Sequence, residues 1–178
     1  MRTPQFSVFI ATSLDGFIAR PDGGLDWLEV VQAEGEDYGY AEFFSSVDAL
    51  LLGSRTYETV LGFPQWPYGE KPCYVATGRP RVAVGTEVFV DGPPEELARE
   101  LADRGHRRVY LDGGQLIRSF LGAGLVDDLT ISVVPVLLGE GLPLFQGTSV
   151  AGAPPRWTLG EARAYPTGLV RLRYETEA

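Results

Sequence analysis

Cysteine, histidine and methionine each occur once in the 178 residues. Cys73 has no second cysteine to pair with, so an intrachain disulfide is excluded, and its apolar setting reads as a small buried thiol in a reducing compartment. Zinc sites built from cysteine clusters or several histidines are excluded on the same ground. His106, the one imidazole, lies between Gly105 and Arg107 in an expected turn, which leaves a serine triad little to build on. Basic charge is also scarce. Fifteen Lys and Arg face 24 Asp and Glu, a net charge of -9, and a surface for nucleic acid or anionic membrane draws on clustered cations that this balance does not supply. No apolar run approaches the roughly 20 residues of a membrane helix, and Met1-Arg2-Thr3-Pro4-Gln5 lacks the apolar segment of a secretory signal. A cytoplasmic location is therefore expected. Three common signatures are missing: a G-x-G-x-x-G after a strand, a Walker lysine loop and a G-x-S-x-G elbow. Gly122-Ala123-Gly124 falls at a helix end and reads as a C-cap.

What is present is the composition of a soluble globular chain, with 44% hydrophobic and 22% charged residues. The length suits one well-filled core, so a single domain over residues 1–178 is expected. Phe6 to Thr12 is apolar and β-branched without a polar face, the pattern of a strand buried on both sides. Ser13 to Gly24 is rich in Gly, Asp and Pro and reads as a long loop. Tyr40, Phe43, Phe44 and Val47 recur at helical spacing, as do Leu97, Ala98, Leu101 and Ala102, and then Leu116, Ile117, Phe120 and Leu121. Short buried strands are expected at Asp48–Leu52, Lys71–Ala76, Glu87–Val90 and Arg108–Leu111, with a short helix over Thr56–Leu61. From Asp127 the pattern becomes strands: Leu129–Val134, Trp157–Ala164, and an alternating run through Val170, Leu172 and Tyr174. Alternating β and α followed by antiparallel β implies a mixed sheet with helices on both faces.

Two strand-to-helix junctions share a design. At Leu52-Gly53-Ser54-Arg55-Thr56 and at Leu111-Asp112-Gly113-Gly114-Gln115 a buried strand meets glycine and then a helix start, where unpaired N–H groups attract phosphate. Glycine permits close backbone approach, and Arg55 adds a planar, permanently charged donor. Two such turns in one α/β chain point to a dinucleotide. A third junction, Thr77-Gly78-Arg79, places a hydroxyl and a guanidinium past a strand end and suits the 2′-phosphate that separates NADPH from NADH. An ordinary solvated turn is the other reading of that third junction.

The run Ala11-Thr12-Ser13-Leu14-Asp15-Gly16-Phe17-Ile18-Ala19, the turn Gly53-Ser54-Arg55-Thr56-Tyr57-Glu58, the turn Leu111-Asp112-Gly113-Gly114 and the segment Val133-Val134-Pro135-Val136-Leu137-Leu138-Gly139-Glu140-Gly141 occur in an order that resembles the dihydrofolate reductase superfamily. The chain is most similar to the reductase domain of the bifunctional riboflavin-biosynthesis deaminase/reductase and its stand-alone bacterial relatives. The resemblance implies an α/β, three-layer dihydrofolate reductase-like fold: a mixed, mostly parallel central sheet with an antiparallel C-terminal hairpin and helices on both faces. It implies NADPH as cofactor, with Ala11 and Ile18 at the nicotinamide, Asp15 and Gly16 in the closing loop, and Gly53, Ser54, Arg55 and Thr56 around the phosphates. Thr77, Gly78 and Arg79 fall at the 2′-phosphate. Gly113 and Gly114, a pair often joined by a cis peptide, continue the cofactor contact with Gln115, Leu116 and Ile117. Thr12, Trp27, Tyr57 and Pro135 are the candidate substrate contacts.

The segment Tyr57-Glu58-Thr59-Val60-Leu61-Gly62-Phe63-Pro64 departs from the Asp-rich, Arg-bearing stretch that riboflavin reductases use for the substrate phosphate, and no deaminase domain is expected within these residues. The implied reaction is hydride transfer to a C=N or C=O carbon of a small pyrimidine or pteridine, of the 5-amino-6-(5-phosphoribosylamino)uracil reductase or dihydrofolate reductase type in riboflavin or pterin and folate metabolism, without a metal. Asp15, Asp26 and Asp112 are the candidate proton donors, directly or through water, and enclosure by Phe17, Trp27 and Tyr57 would raise a carboxyl pKa toward that use. A homodimer is expected, through an apolar surface around Leu142–Phe145. A regulatory dimer that binds NADPH without turnover, and a general anion-binding module, are the rival readings.

Overall fold

The first strand, β1 (Gln5–Thr12), runs through the middle of the molecule. In chain order there follow β2 (Phe17–Ala19), a 3₁₀ helix (Asp26–Val31), α1 (Tyr40–Ser46), β3 (Ala49–Gly53), α2 (Ser54–Leu61), β4 (Cys73–Ala76), β5 (Val88–Val90) and α3 (Pro94–Asp103). The second half comprises β6 (Arg108–Asp112), α4 (Gly114–Gly122), β7 (Asp128–Val133), β8 (Leu142–Pro143), β9 (Trp157–Ala164) and β10 (Val170–Thr176). These elements are those of a computed structural model, which describes residues 3–79, 81–148 and 155–177.

Eight strands form one sheet in the order β5-β4-β3-β6-β1-β7-β10-β9, and β2 pairs with β8 in a separate two-stranded ribbon. The pairings from β5 across to β7 are parallel, and β10 runs antiparallel to both β7 and β9. This is the mostly parallel sheet with an antiparallel hairpin that the order of patterns implies. Because side chains alternate across the pleat, Ala49 and Leu51 enter one layer and Leu50 and Leu52 the other. The first layer is filled from α3 and α4 by Leu97, Leu101, Ile117 and Phe120, and the second from α1 and α2 by Phe43, Tyr57 and Val60. Each of these larger side chains contributes about 1.5–3 kcal/mol through burial, so the helix stripes read in the sequence fix which face of the sheet each helix covers. A third apolar cluster joins Trp27 and Val31 of the 3₁₀ helix to Val134, Tyr165 and Leu169.

Four local expectations change. The segment after β1 is not one irregular loop, since Phe17–Ala19 forms β2 by pairing with Leu142 and Pro143, partners too distant in sequence for local composition to show. That pairing also removes the expected apolar surface around Leu142–Phe145: Leu144 is fully buried and only Phe145 is well exposed. β1 is central but not buried throughout, because Phe9, Ile10 and Ala11 are only partly covered. Among the described residues no peptide bond is cis, Gly113–Gly114 included.

Candidate active site

β3 and β6 are neighbours in the sheet, with Leu52 opposite Asp112, so the two glycine turns that follow them lie side by side. Gly113 caps α4 with a φ of 121°, a conformation open to glycine and strained for other residues. A Cβ on it would stand 3.0 Å from Thr56 Oγ1 and 3.2 Å from the Gly53 nitrogen. A Cβ on Gly114 would meet Ile18 Cδ1 at 2.6 Å. Residues read separately as phosphate and nicotinamide contacts, Gly53, Thr56, Gly113, Gly114 and Ile18, thus converge at the C-terminal ends of β3 and β6. Arg55 and Gln115 are exposed at the two helix starts, whereas Leu116 and Ile117 turn into the core. At the third junction, Thr77 Oγ1 accepts the Arg79 N–H at 3.2 Å, Gly78 is exposed, and the Arg79 side chain is at the surface.

On the α1 face of the sheet a cleft of about 700 Å³ opens over β1 and β7. Phe9, Ala11, Ser132 and Val134 form its floor, Leu28, Val31, Tyr38, Tyr40 and Leu169 its walls, and Glu34, Glu36 and Asp37 part of its rim. Tyr38 holds a φ of 56°, uncommon for a bulky residue. Its hydroxyl is fixed by donating to the Val31 carbonyl and by Thr167 Oγ1 at 2.9 Å. The next residue, Gly39, takes a φ of 86° with the Arg171 guanidinium where a Cβ would be. Two successive left-handed residues, clamped on both sides, set the wall of the cleft, a type of local strain that clusters at functional sites.

The three candidate proton donors have different surroundings. Asp112, half-buried at the end of β6, has its pKa pushed up to about 6 by burial, against the lowering effect of hydrogen bonds from Tyr110, the Gly113 N–H and Tyr68. Tyr110 Oη lies 3.4 Å from Asp112 Oδ2 and also donates to the Phe9 carbonyl at 3.1 Å. Burial and the Asp112 carboxylate raise Tyr40 to about 12 and carry Tyr68 and Tyr110 above the ordinary phenol range. Tyr40 lines the cleft and feels the Asp112 charge, and its ring packs edge-on against that of Tyr110, the Asp112 partner.

Asp15 is exposed. Its carboxylate accepts Ser13 Oγ at 2.6 Å and the Leu138 and Gly139 N–H groups at 3.1 and 2.7 Å, which clasp the β1–β2 turn to the segment before β8. The Ser13 hydroxyl first, and those amides with it, lower its pKa to about 2. Asp26 is also exposed, paired with Arg20 at 2.6 Å, and that hydrogen bond lowers its pKa. The expectation of a raised carboxyl pKa therefore holds in direction for Asp112 and is reversed at Asp15 and Asp26, whose partners favour the charged form.

The candidate substrate contacts also separate from the cleft. Tyr57 is buried, with its hydroxyl donating to Glu87. Thr12 is buried one pleat step from Ala11 and so belongs to the opposite face. Trp27 lies beneath the cleft wall in the third cluster, and Pro135 is exposed against Gly168. Apart from Ala11, the cleft is made by residues to which sequence reasoning gave no site role. The Tyr40 stripe read as core packing, and Ser132 sat unremarked within a β-branched run. The signal available was Asp37-Tyr38-Gly39-Tyr40, a turn-forming Asp and Gly interleaved with two tyrosines.

The model of the family described as the RibD C-terminal domain matches residues 4–171. The chain belongs to this family. A solved structure from Shewanella sp. PV-4, a protein provisionally assigned to riboflavin biosynthesis, shares 33% identity and superposes with a TM-score of 0.90 over 98% of this chain and 99% of that one. The uncharacterised protein YwjB of Bacillus subtilis strain 168 is 39% identical over 141 residues, which are 78% of this chain and 80% of that protein. Dihydrofolate reductase from Enterococcus faecalis, solved with NADP(H), shares the fold at 15% identity, with a TM-score of 0.66 and coverage of 98% and 97%. The RibD C-terminal family thus accounts for the dihydrofolate reductase-like architecture and relates this chain to an oxidoreductase domain. Among the described residues no helix is long and apolar enough to cross a membrane, and no cluster of potential metal ligands occurs.

Proposed function

We propose that this protein is an NADPH-dependent reductase of a small pyrimidine-type or pteridine-type heterocycle. The observation that carries this reading is the abutment of the Gly53 and Gly113 turns beside Ile18, so close that a Cβ at Gly113 would collide with Thr56 and Gly53 and one at Gly114 with Ile18, which brings two helix starts side by side. Such a pair fits a diphosphate: the start of α2 at Ser54 and that of α4 at Gly114 present their unpaired N–H groups there. Gly53, Ser54, Arg55 and Thr56 would hold one side of the phosphates, and Gly113, Gly114 and Gln115 the other. Thr77, Gly78 and Arg79 stand at the third strand end for a 2′-phosphate. When bound, the nicotinamide supplies the hydride.

The protein's own residues do the rest. Ala11 belongs to both the nicotinamide assignment and the cleft floor, so a substrate in the cleft lies against the coenzyme end of the sheet. The apolar walls exclude water and orient the ring. Asp112, with a pKa of about 6, keeps its proton below that pH and in a minor fraction of molecules at neutrality, and is the proton donor of choice, reaching the substrate through water. Asp15 positions the loop carrying Gly16 and Ile18 rather than donating a proton. We further place the enzyme in the cytoplasm as a homodimer, and gel filtration measures the latter directly.

Calorimetry with NADPH and NADH, followed by absorbance at 340 nm with phosphorylated and unphosphorylated pyrimidines and pteridines, tests the proposal. The expected result is tighter binding of NADPH than NADH and consumption with one substrate class. Binding without consumption favours a regulatory nucleotide-binding protein. No heat with either coenzyme overturns the reading.

A further inference from the structure

Ser132 is a buried cleft-lining residue whose hydroxyl the architecture leaves unused. It is 4% exposed, and its Oγ has no hydrogen-bond partner. A buried hydroxyl left unpaired costs about 1–3 kcal/mol, so nearly all such groups in folded proteins are paired. Its position in β7, in register with Ala11 on one side and Arg171 on the other, puts it on the cleft side of the sheet between the floor residues Ala11 and Val134.

The charge around this hydroxyl is one-sided. The cleft lining contains no Lys, Arg or His, while Glu34, Glu36 and Asp37 stand at the rim. Two of these acids are tied to backbone: Glu36 accepts the Tyr38 N–H at 2.8 Å, and Asp37 accepts those of Gly39 and Ala41 at 2.8 and 2.9 Å. The neighbouring cation is Arg171, whose two terminal nitrogens are engaged and whose Nε–H is buried without a partner. Its guanidinium donates to the Tyr38 carbonyl at 2.7 Å and to both Glu161 carboxylate oxygens at 3.0 and 2.9 Å. A phosphate ester in this cleft would meet exposed acids and no cation in the lining, Arg171 being buried behind it, whereas a flat, uncharged heterocycle would meet aromatic and aliphatic walls with one unpaired hydroxyl at the bottom.

We infer that the cleft binds an unphosphorylated, planar heterocycle whose ring nitrogen or carbonyl edge hydrogen-bonds to Ser132 Oγ, and that the acidic rim excludes phosphorylated substrates. This rests on the reading of the cleft as the substrate site of a reductase, and it specifies the class of substrate and a specificity-determining residue for it.

The test uses the full chain and lumazine, a fluorescent uncharged pteridine, titrated with and without NADPH. Lumazine should bind, pterin should displace it, and uridine 5′-monophosphate should displace it only at concentrations at least about tenfold above those of pterin. Ser132→Ala should weaken lumazine roughly 3- to 10-fold while leaving the melting temperature of the free protein unchanged or raised, because no protein partner is lost. A structural role for the hydroxyl would instead lower that temperature. Glu34→Lys, at an exposed rim position, should improve displacement by uridine 5′-monophosphate about fivefold. The inference is overturned if lumazine does not bind, if Ser132→Ala leaves its affinity unchanged, or if uridine 5′-monophosphate competes as well as pterin. These titrations register binding alone, so lumazine bound without NADPH oxidation counts against the reductase reading and not against the cleft assignment.

Discussion

Asp15, in the turn after β1, and Asp112, at the end of β6, are the same chemical group, and their surroundings drive them in opposite directions. Asp15 faces solvent and accepts one hydroxyl and two amide N–H groups, all of which favour its charge. Asp112 sits among Tyr40, Tyr68 and Tyr110, where burial opposes charge more strongly than its hydrogen bonds support it. The difference is between a carboxylate that acts as a structural clasp and a carboxylic acid that can hold and release a proton near neutrality. A carboxyl near glycines at a strand end is therefore not assigned a role by position alone; the number of donors and the loss of water decide it.

The largest effect that sharpens this contrast is on turnover. Asp112→Asn should lower kcat by about 10²–10⁴ in steady-state assays, while Asp15→Asn should act mainly on KM through the loop. The wild-type rate should fall as pH rises through about 6, where Asp112 loses its proton, and that limb should vanish in Asp112→Asn. A kcat unchanged in Asp112→Asn breaks the comparison.

Stability gives the next effect, with opposite signs for the two groups. The folded-state pKa of Asp112 is raised, so its contribution is full below the ordinary value of 3.8 and lost as pH rises through about 6. Asp112→Asn should thus stabilise the protein by about 1–3 kcal/mol at pH 8 and little at pH 4, as read by thermal melts. Asp15 has a depressed folded-state pKa, so its contribution is present above 3.8 and lost as pH falls through about 2. Asp15→Asn should melt earlier than wild type at pH 7, and the two curves should converge near pH 2. The smallest effect concerns the tyrosines. The Tyr110 hydroxyl holds the Asp112 pKa down, so Tyr110→Phe should move the kinetic pH midpoint upward by about half a unit.

Much of this fold could be read from periodicity, because helices packed on a twisted sheet expose and bury residues at regular spacing. The stripes at Leu97–Ala102 and Leu116–Leu121 and the strands from Ala49 to Asp112 follow directly from it. The glycine turns were also visible, since a close backbone approach leaves glycine as its mark. The cleft was not. Its floor comes from β1 and β7, its walls from the segment 28–40 and from Leu169, and no local pattern brings those together. Tyr57 misled for the same reason: its hydroxyl partner, Glu87, lies 30 residues further along the chain. Asp15 was recognisable as a turn residue, but the amides that set its charge belong to Leu138 and Gly139.

The central place of β1 has a consequence for biosynthesis. Its neighbours are β6 and β7, and the Asp15 clasp waits for residues 138 and 139. An emerging polypeptide must therefore carry its first strand unpaired until more than a hundred further residues have left the ribosome. At about 5–20 residues per second, that leaves several seconds in which the apolar run from Phe6 to Thr12 is available to chaperones, and folding is paced by how late its partners arrive.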